Sequence, residues 1–249
     1  MSNLKSLSLG ALACVFVMVT AISAQAYTID LFNSPPEVTV INFYNLNPAL
    51  LKAPAPTFGD ILGEERDLLL KVSEPAESTS YTGSIGAGTF VFNSGTPGTI
   101  ATLQYDGIDA DVTSHPASLV NNEGLGGFDF TQGGADRFKL NFNSIDGGNY
   151  SDTDIQIEVH NGTSNVARFV GTIVDNPNPF SYQVLFSSPD WSGDLTVLSS
   201  ATSLEITFNP SGHPDVDFTM TPSYGTPEPA TMGLLALGSL AMLIRRRRK

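Results

Sequence analysis

Apolar and polar residues exchange places at every step over many short stretches of this chain. In Arg137–Asn143, Phe138, Leu140 and Phe142 fall on one side, with Arg137, Lys139, Asn141 and Asn143 on the other. Ile155, Ile157 and Val159 repeat the pattern, and so do Leu204, Ile206 and Phe208. Tyr182, Val184 and Phe186 form another set, Val216, Phe218 and Met220 a further one. A period of two sends successive side chains to opposite faces of a strand, so each stretch predicts an antiparallel strand with one buried face. Turn residues separate the stretches, at Gly124–Gly127, Gly133-Gly134, Asp146–Asn149, Asn161-Gly162 and Ser192-Gly193. Between the terminal segments no window sustains a helical stripe, beyond a short turn within Phe58–Leu70. The reading is all-β: an antiparallel β-sandwich of jelly-roll type, closing two sheets on one core. No fixed-period repeat marks a solenoid or propeller.

Tyr27–Pro56 breaks the rhythm. Its apolar words Val38–Ile41 and Phe43-Tyr44 lie among Pro35, Pro36, Pro48, Pro54 and Pro56. Proline cannot donate to a ladder, so residues 27–60 are expected as an irregular N-terminal arm, or an edge strand, rather than the centre of a sheet.

The two ends are of another kind. Met1–Ala26 has Lys5 near its start, an apolar stretch from Leu7 to Ile22, and Ala24-Gln25-Ala26 at its exit. That is the layout of a secretory signal peptide, with cleavage expected after Ala26; its partners are the Sec machinery and signal peptidase. Cys14, the only cysteine, lies inside it, and Ala11 three positions upstream gives no lipoprotein signal. Residues 27–226 therefore form one cysteine-free exported domain, stabilised by a core and not by disulfides. At the far end, Pro227-Glu228-Pro229 precedes an apolar run, Ala230–Ile244, and then Arg245, Arg246, Arg247, Arg248 and Lys249. As a helix that run reaches about 22 Å, short of the roughly 30 Å hydrocarbon core. The arginines hold its end on the cytoplasmic side.

Charge sharpens the division. Of 12 basic residues Lys5 and Arg245–Lys249 lie at the ends, and of 25 acidic residues only Glu228 does. Residues 27–226 thus set 6 basic against 24 acidic groups, a net charge of −18. Nucleic acid and anionic lipid, which need a cationic footprint, are excluded as partners of this region. Neutral glycans and cations remain.

Two loops concentrate hard oxygen donors. Asp106, Asp109 and Asp111 form one group, and Asp146, Asp152 and Asp154 the other. Calcium takes six to eight such oxygens, so it is the cofactor these loops admit, although Asp, Asn and Gly are equally what tight turns demand. Neither loop has EF-hand spacing. Trp191, the only tryptophan, sits in Ser188–Gly193, where its ring either faces a sugar or closes the core from a strand end. Gly83–Gly88 leads into strand-like Thr89–Asn93 and reads as a turn, not a phosphate loop. No His-Glu-x-x-His helix, Gly-x-Ser-x-Gly elbow or cysteine cluster is present, so no catalytic residue is assigned and the protein is expected not to be an enzyme. A pair of carboxylates for glycan hydrolysis depends on burial and separation, neither of which a sequence displays.

The order Pro-Glu-Pro, apolar run, basic cluster, together with the signal peptide, resembles the PEP-CTERM sorting signal of Gram-negative bacteria. The resemblance implies processing by exosortase, a membrane protease-transpeptidase, with Pro227, Glu228 and Pro229 as determinants and Arg245–Arg248 as the retained tail. It also implies a transient stay in the inner membrane, then release or attachment at the cell surface or in the extracellular matrix, commonly where exopolysaccharide is made. Ile61–Leu68, Gly124–Asp129 and Ala135–Leu140 resemble a recurrent β-rich extracellular domain of such proteins, which has no assigned activity. The expectation is a non-enzymatic exported protein that binds exopolysaccharide, with calcium optional. The alternatives are a matrix component that self-associates through sheet edges and a glycan-acting hydrolase.

Overall fold

Each alternating stretch forms a strand whose apolar side enters a shared core. The computed structural model describes residues 27–33, 37–41, 49–52, 61–72, 81–95, 98–107 and 124–227. Their strands, in chain order, begin with β1 (Tyr27–Asp30), β2 (Glu37–Ile41), β3 (Ala49–Lys52), β4 (Asp67–Val72) and β5 (Tyr81–Gly86). β6 (Thr89–Asn93), β7 (Thr99–Tyr105), β8 (Ala135–Asp146), β9 (Asp152–Asn161) and β10 (Asn165–Val174) follow. The last are β11 (Phe180–Leu185), β12 (Trp191–Gly193), β13 (Ser203–Phe208) and β14 (Asp217–Pro227). The first sheet has the order β11-β8-β14-β6-β5-β2, with β1 also on β14; the second runs β12-β10-β9-β13-β7-β4-β3. Every pairing is antiparallel. Beyond β7 the chain passes repeatedly between the sheets, as in a jelly roll.

The core lies between the sheets. Phe138, Leu140 and Phe142 of β8 and Phe218 and Met220 of β14 meet Ile155, Ile157 and Val159 of β9 and Leu204, Ile206 and Phe208 of β13. The Phe208 and Phe218 rings, one from each sheet, are 4.7 Å apart, inside the range of favourable aromatic pairs. Burying each such side chain contributes about 1.5–3 kcal/mol before conformational entropy is charged against it. Among the described residues the helical segments are three 3-10 turns, at Leu62–Glu64, Gln132–Gly134 and Leu195–Ser199. Among the described residues no helix is long and apolar enough to cross a membrane. The expected signal peptide and the C-terminal apolar run lie outside them.

Within residues 27–60, expected as an irregular arm or an edge strand, the described residues form three strands. β1 pairs with β14, while β2 and β3 are the last strands of the two sheets. Pro35, Pro36, Pro48, Pro54 and Pro56 lie outside the described residues. Ile29 and Phe32 are fully buried, so this segment is part of the core.

A buried ion pair ties it there. Nη1 of Arg66, just before β4, donates to both oxygens of Asp30 at 2.9 and 2.7 Å. The Tyr105 hydroxyl on β7 donates to Oδ2 at 3.0 Å, and the Phe32 amide to Oδ1 at 2.7 Å. The guanidinium also lies 5.8 Å over the Phe32 ring. Four hydrogen bonds from three donor groups hold this carboxylate, and those from Arg66 and Tyr105 link β1 of the first sheet to the start of β4 and to β7 in the second.

Candidate functional site

The outer face of the first sheet carries the side chains that alternation sends away from the core. β6 contributes Val91 and Asn93, β14 Asp217 and Thr219, β8 Ser144 and Asp146. After β10 the chain folds back over this edge, where Ile145 and Asn176 exchange backbone hydrogen bonds at 2.9 and 3.0 Å. Asp175 and Pro177 thereby complete a groove of about 550 Å³. Its polar lining of three carboxylates, an amide and two hydroxyls is set around an apolar patch made by Val91 and Pro177.

Register decides the electrostatics. Asp217 and Asp146 are direct cross-strand partners, and Asn93 faces Asp217 on the other side. Asp146 Oδ1 accepts the Gly148 amide at 2.9 Å, and Asp175 Oδ1 accepts the Gly147 amide at 2.7 Å. Both carboxylates are therefore oriented by backbone. Asp217 is different: its Oδ1 is buried with no hydrogen-bond partner. Burial, then the neighbouring charges of Asp146 and Asp215, raise its pKa above the ordinary carboxylate value. An unsatisfied buried acceptor of this kind costs about 1–3 kcal/mol, which a hydroxyl or amide donor from a ligand would recover.

At the same end of the sandwich the Tyr150 ring, 42% exposed, stacks on His213 at 3.8 Å with 9° between planes. Gly148 lies against Asp215 and Pro214, which brings the Asp146–Tyr150 turn and the His213–Asp217 segment together.

The residues singled out from sequence are distributed as follows. Asp106 is buried at the end of β7, at 2% exposure, and Asp109 and Asp111 lie outside the described residues. Asp146, Asp152 and Asp154 do not bring three carboxylate oxygens within 4.8 Å of one another. Asp146 closes its own turn, Asp152 begins β9, and Asp154 accepts from the Ser211 hydroxyl. Trp191 does not offer its ring to solvent. It is 8% exposed, packs between Phe138 and Phe169 with centroids 6.4 and 5.6 Å away, and donates Nε1–H to the Leu185 carbonyl at 2.8 Å. The local sequence reads as a loop, but pairing of β12 with β10 draws the ring inward. Of the sorting and cleavage residues only Pro227 is described; it ends β14, opposite Ala135. Ala24, Ala26, Glu228, Pro229 and Arg245–Arg248 lie outside.

Sequence reading missed Asn93, Ser144, Asp175, Asp217 and Thr219 as a group. Alternation does place most of them on a polar face. It does not say that strands distant in sequence set those faces side by side.

This is an all-β sandwich protein carrying a sorting tail. Residues 226–248 match the PEP-CTERM protein-sorting motif, which implies an exported chain whose C-terminal signal exosortase processes. No curated protein sequence matches the chain. Among solved structures it is similar to the family 11 carbohydrate-binding module of the cellulosomal cellulase Lic26A-Cel5E of Clostridium thermocellum, at 12% identity and a TM-score of 0.33, over 79% of this chain and 99% of that one. The Clostridium thermocellum family 11 module in complex with a β-1,3-1,4-mixed-linked tetrasaccharide gives 10% identity and a TM-score of 0.32, over 76% and 96%. TmCBM61 in complex with β-1,4-galactotriose gives 10% identity and a TM-score of 0.27, over 79% and 90%.

Proposed function

We propose that this is a cell-surface or matrix protein, released or attached after exosortase processing, whose sandwich binds neutral polysaccharide without cleaving it. The observation that carries the reading is the groove on the outer face of the first sheet, with the unpartnered Asp217 oxygen in its wall. Sugar hydroxyls are both donors and acceptors, and the groove offers carboxylates, an amide and hydroxyls over a small apolar patch. Its three carboxylates favour a neutral chain over a uronate-bearing one, because like charges repel. The arrangement supports binding over hydrolysis. Asp146 and Asp217 stand side by side on adjacent strands of one face, whereas glycoside hydrolysis sets two carboxylates on opposite sides of the scissile bond.

The test is affinity electrophoresis and titration calorimetry of the protein against neutral and acidic exopolysaccharides, with and without calcium. Retention by a neutral polymer is expected, with Asp217→Asn and Asn93→Ala each weakening it about tenfold, the equivalent of one hydrogen bond to a charged or polar group. No retention on any polymer in either condition overturns the reading. Release of reducing ends during incubation replaces it with hydrolysis.

A further inference from the structure

The outer face of the second sheet holds a separate constellation, independent of the groove. Along β9, Ile157 and Val159 point into the core, so Glu158 and His160 point outward. Glu205 of β13 is the direct cross-strand partner of Glu158, and Ser203 is the partner of His160. One donor atom from each of Glu158, His160 and Glu205 lies within 4.8 Å of the others.

The second atom of each carboxylate is already held. Arg168, opposite Glu158 on β10, donates Nε–H to Glu158 Oε1, and Gln104 on β7 donates to Glu205 Oε1 at 2.9 Å. Glu158 Oε2 is left facing His160 Nε2 at 3.9 Å. That Nε2 is buried and has no hydrogen-bond partner. Ser203 makes the same point independently: it is fully buried, its Oγ has no partner, and it stands on the same face directly opposite His160. Buried polar atoms are ordinarily satisfied, so two adjacent orphans beside two oriented carboxylates mark a missing ligand. A hydrogen-bonding organic ligand would not need the carboxylates crowded together. A cation would.

We propose that Glu158, His160 and Glu205 bind a divalent transition-metal ion of the zinc type, with Arg168 and Gln104 orienting the two carboxylates. An imidazole with two carboxylates is a borderline donor set, suited to zinc and its neighbours and not to calcium, which takes oxygen alone. Tetrahedral zinc, with bonds of about 2.0–2.2 Å, sets neighbouring donors about 3.4 Å apart, close to the present Glu158–His160 separation. Three protein ligands leave the fourth position to water, with the Ser203 hydroxyl beside it. The electrostatics agree. Burial, Glu158 and Asp106 raise the Glu205 carboxyl, and burial lowers His160 toward the neutral, ligating form; a bound cation relieves the first and needs the second.

The full chain, stripped of metal by chelation, is titrated with zinc by calorimetry, with calcium and magnesium run alongside. One zinc per chain is expected, bound at least tenfold more tightly than calcium, with a rise in Tm on addition. His160→Gln and Glu205→Gln, which keep side-chain volume, each lower zinc affinity by 100-fold or more. Gln104→Ala lowers it 10–100-fold, as loss of an orienting partner does, and Asp190→Asn leaves it unchanged. Far-UV circular dichroism and the metal-free Tm establish that each variant is folded. Cobalt in place of zinc gives visible d–d bands that vanish in His160→Gln. Absence of stoichiometric zinc binding, binding that survives both ligand variants, or equal affinity for calcium each overturns the proposal.

Discussion

Asp217 sits where three acidic groups converge, and its surroundings penalise its charge. With its pKa raised above 3.8 by burial, Asp146 and Asp215, the folded state holds this proton more tightly than the unfolded chain does. Its contribution to stability is therefore complete below the ordinary carboxylate pKa and is lost as pH rises through the folded value. Asp217→Asn is expected to have a higher Tm than the native protein at pH 7, the difference closing as pH falls toward 4; thermal melts across that range check it. The same substitution weakens glycan binding in the proposal above, so stability and affinity move in opposite directions at one residue. Gly124 is a steric case. A Cβ there would overlap the Asp106 carbonyl and crowd Gly107, all of it backbone that cannot swing aside. Gly124→Ala is expected to cost about 2–3 kcal/mol, the upper part of the range for overpacking, and to lower Tm by roughly 5–10 °C. Residue-level roles like these were only half legible in the sequence. Alternation assigned Phe138, Ile157 and Leu204 to the core, because sidedness is a local property. It cannot show what surrounds His160, since the Glu205 and Ser203 that flank it come from a strand more than forty positions away.

The Asp30–Arg66 pair shows what holds the elements to one another. Both side chains are fully buried, and Nε and Nη2 of Arg66 have no hydrogen-bond partners, so the pair is costly to bury and more costly to break. Arg66→Met leaves the Asp30 carboxylate with only the Tyr105 and Phe32 donors, and a loss of about 3–5 kcal/mol is expected. Asp30→Asn combined with Arg66→Met removes the charge as well as its partner, and the double variant is expected to be more stable than Arg66→Met alone. Denaturant unfolding of the two single variants and the double variant measures that coupling; strictly additive losses would show that the pair does not act as a unit. The sequence concealed this element because it contains no alternation to read. β1 is four residues long and β3 likewise, and the prolines around them suggested an arm. An ion pair spanning thirty-six positions, which no local pattern announces, also ties β1 to the second sheet.

At the scale of the molecule, the residues that flank the two expected processing junctions are neighbours. Tyr27, the residue after the expected signal cleavage, is the register partner of Gly225, and β14 runs on to Pro227, the first residue of the Pro-Glu-Pro motif. The first residue of β1 and the last residues of β14 therefore lie at one corner of the first sheet. β14 also sits between β8 and β6 in the middle of that sheet and supplies Phe218 and Met220 to the core. Cleavage inside β14 would strip hydrogen bonds from both β8 and β1, so a stable product requires the cut to fall at or beyond Pro227. Mass spectrometry of the exported protein is expected to find Tyr27 at one end and a C-terminal residue between Pro227 and the start of the apolar run at the other. An intact Arg245–Lys249 end would remove exosortase processing from the account. A terminus within Asp217–Thr226 would instead show that the sandwich tolerates loss of a central strand, against the packing seen around Phe218. The arginine-rich tail is in this sense a delivery device, and the position of β14 sets how close to the folded body it can be removed.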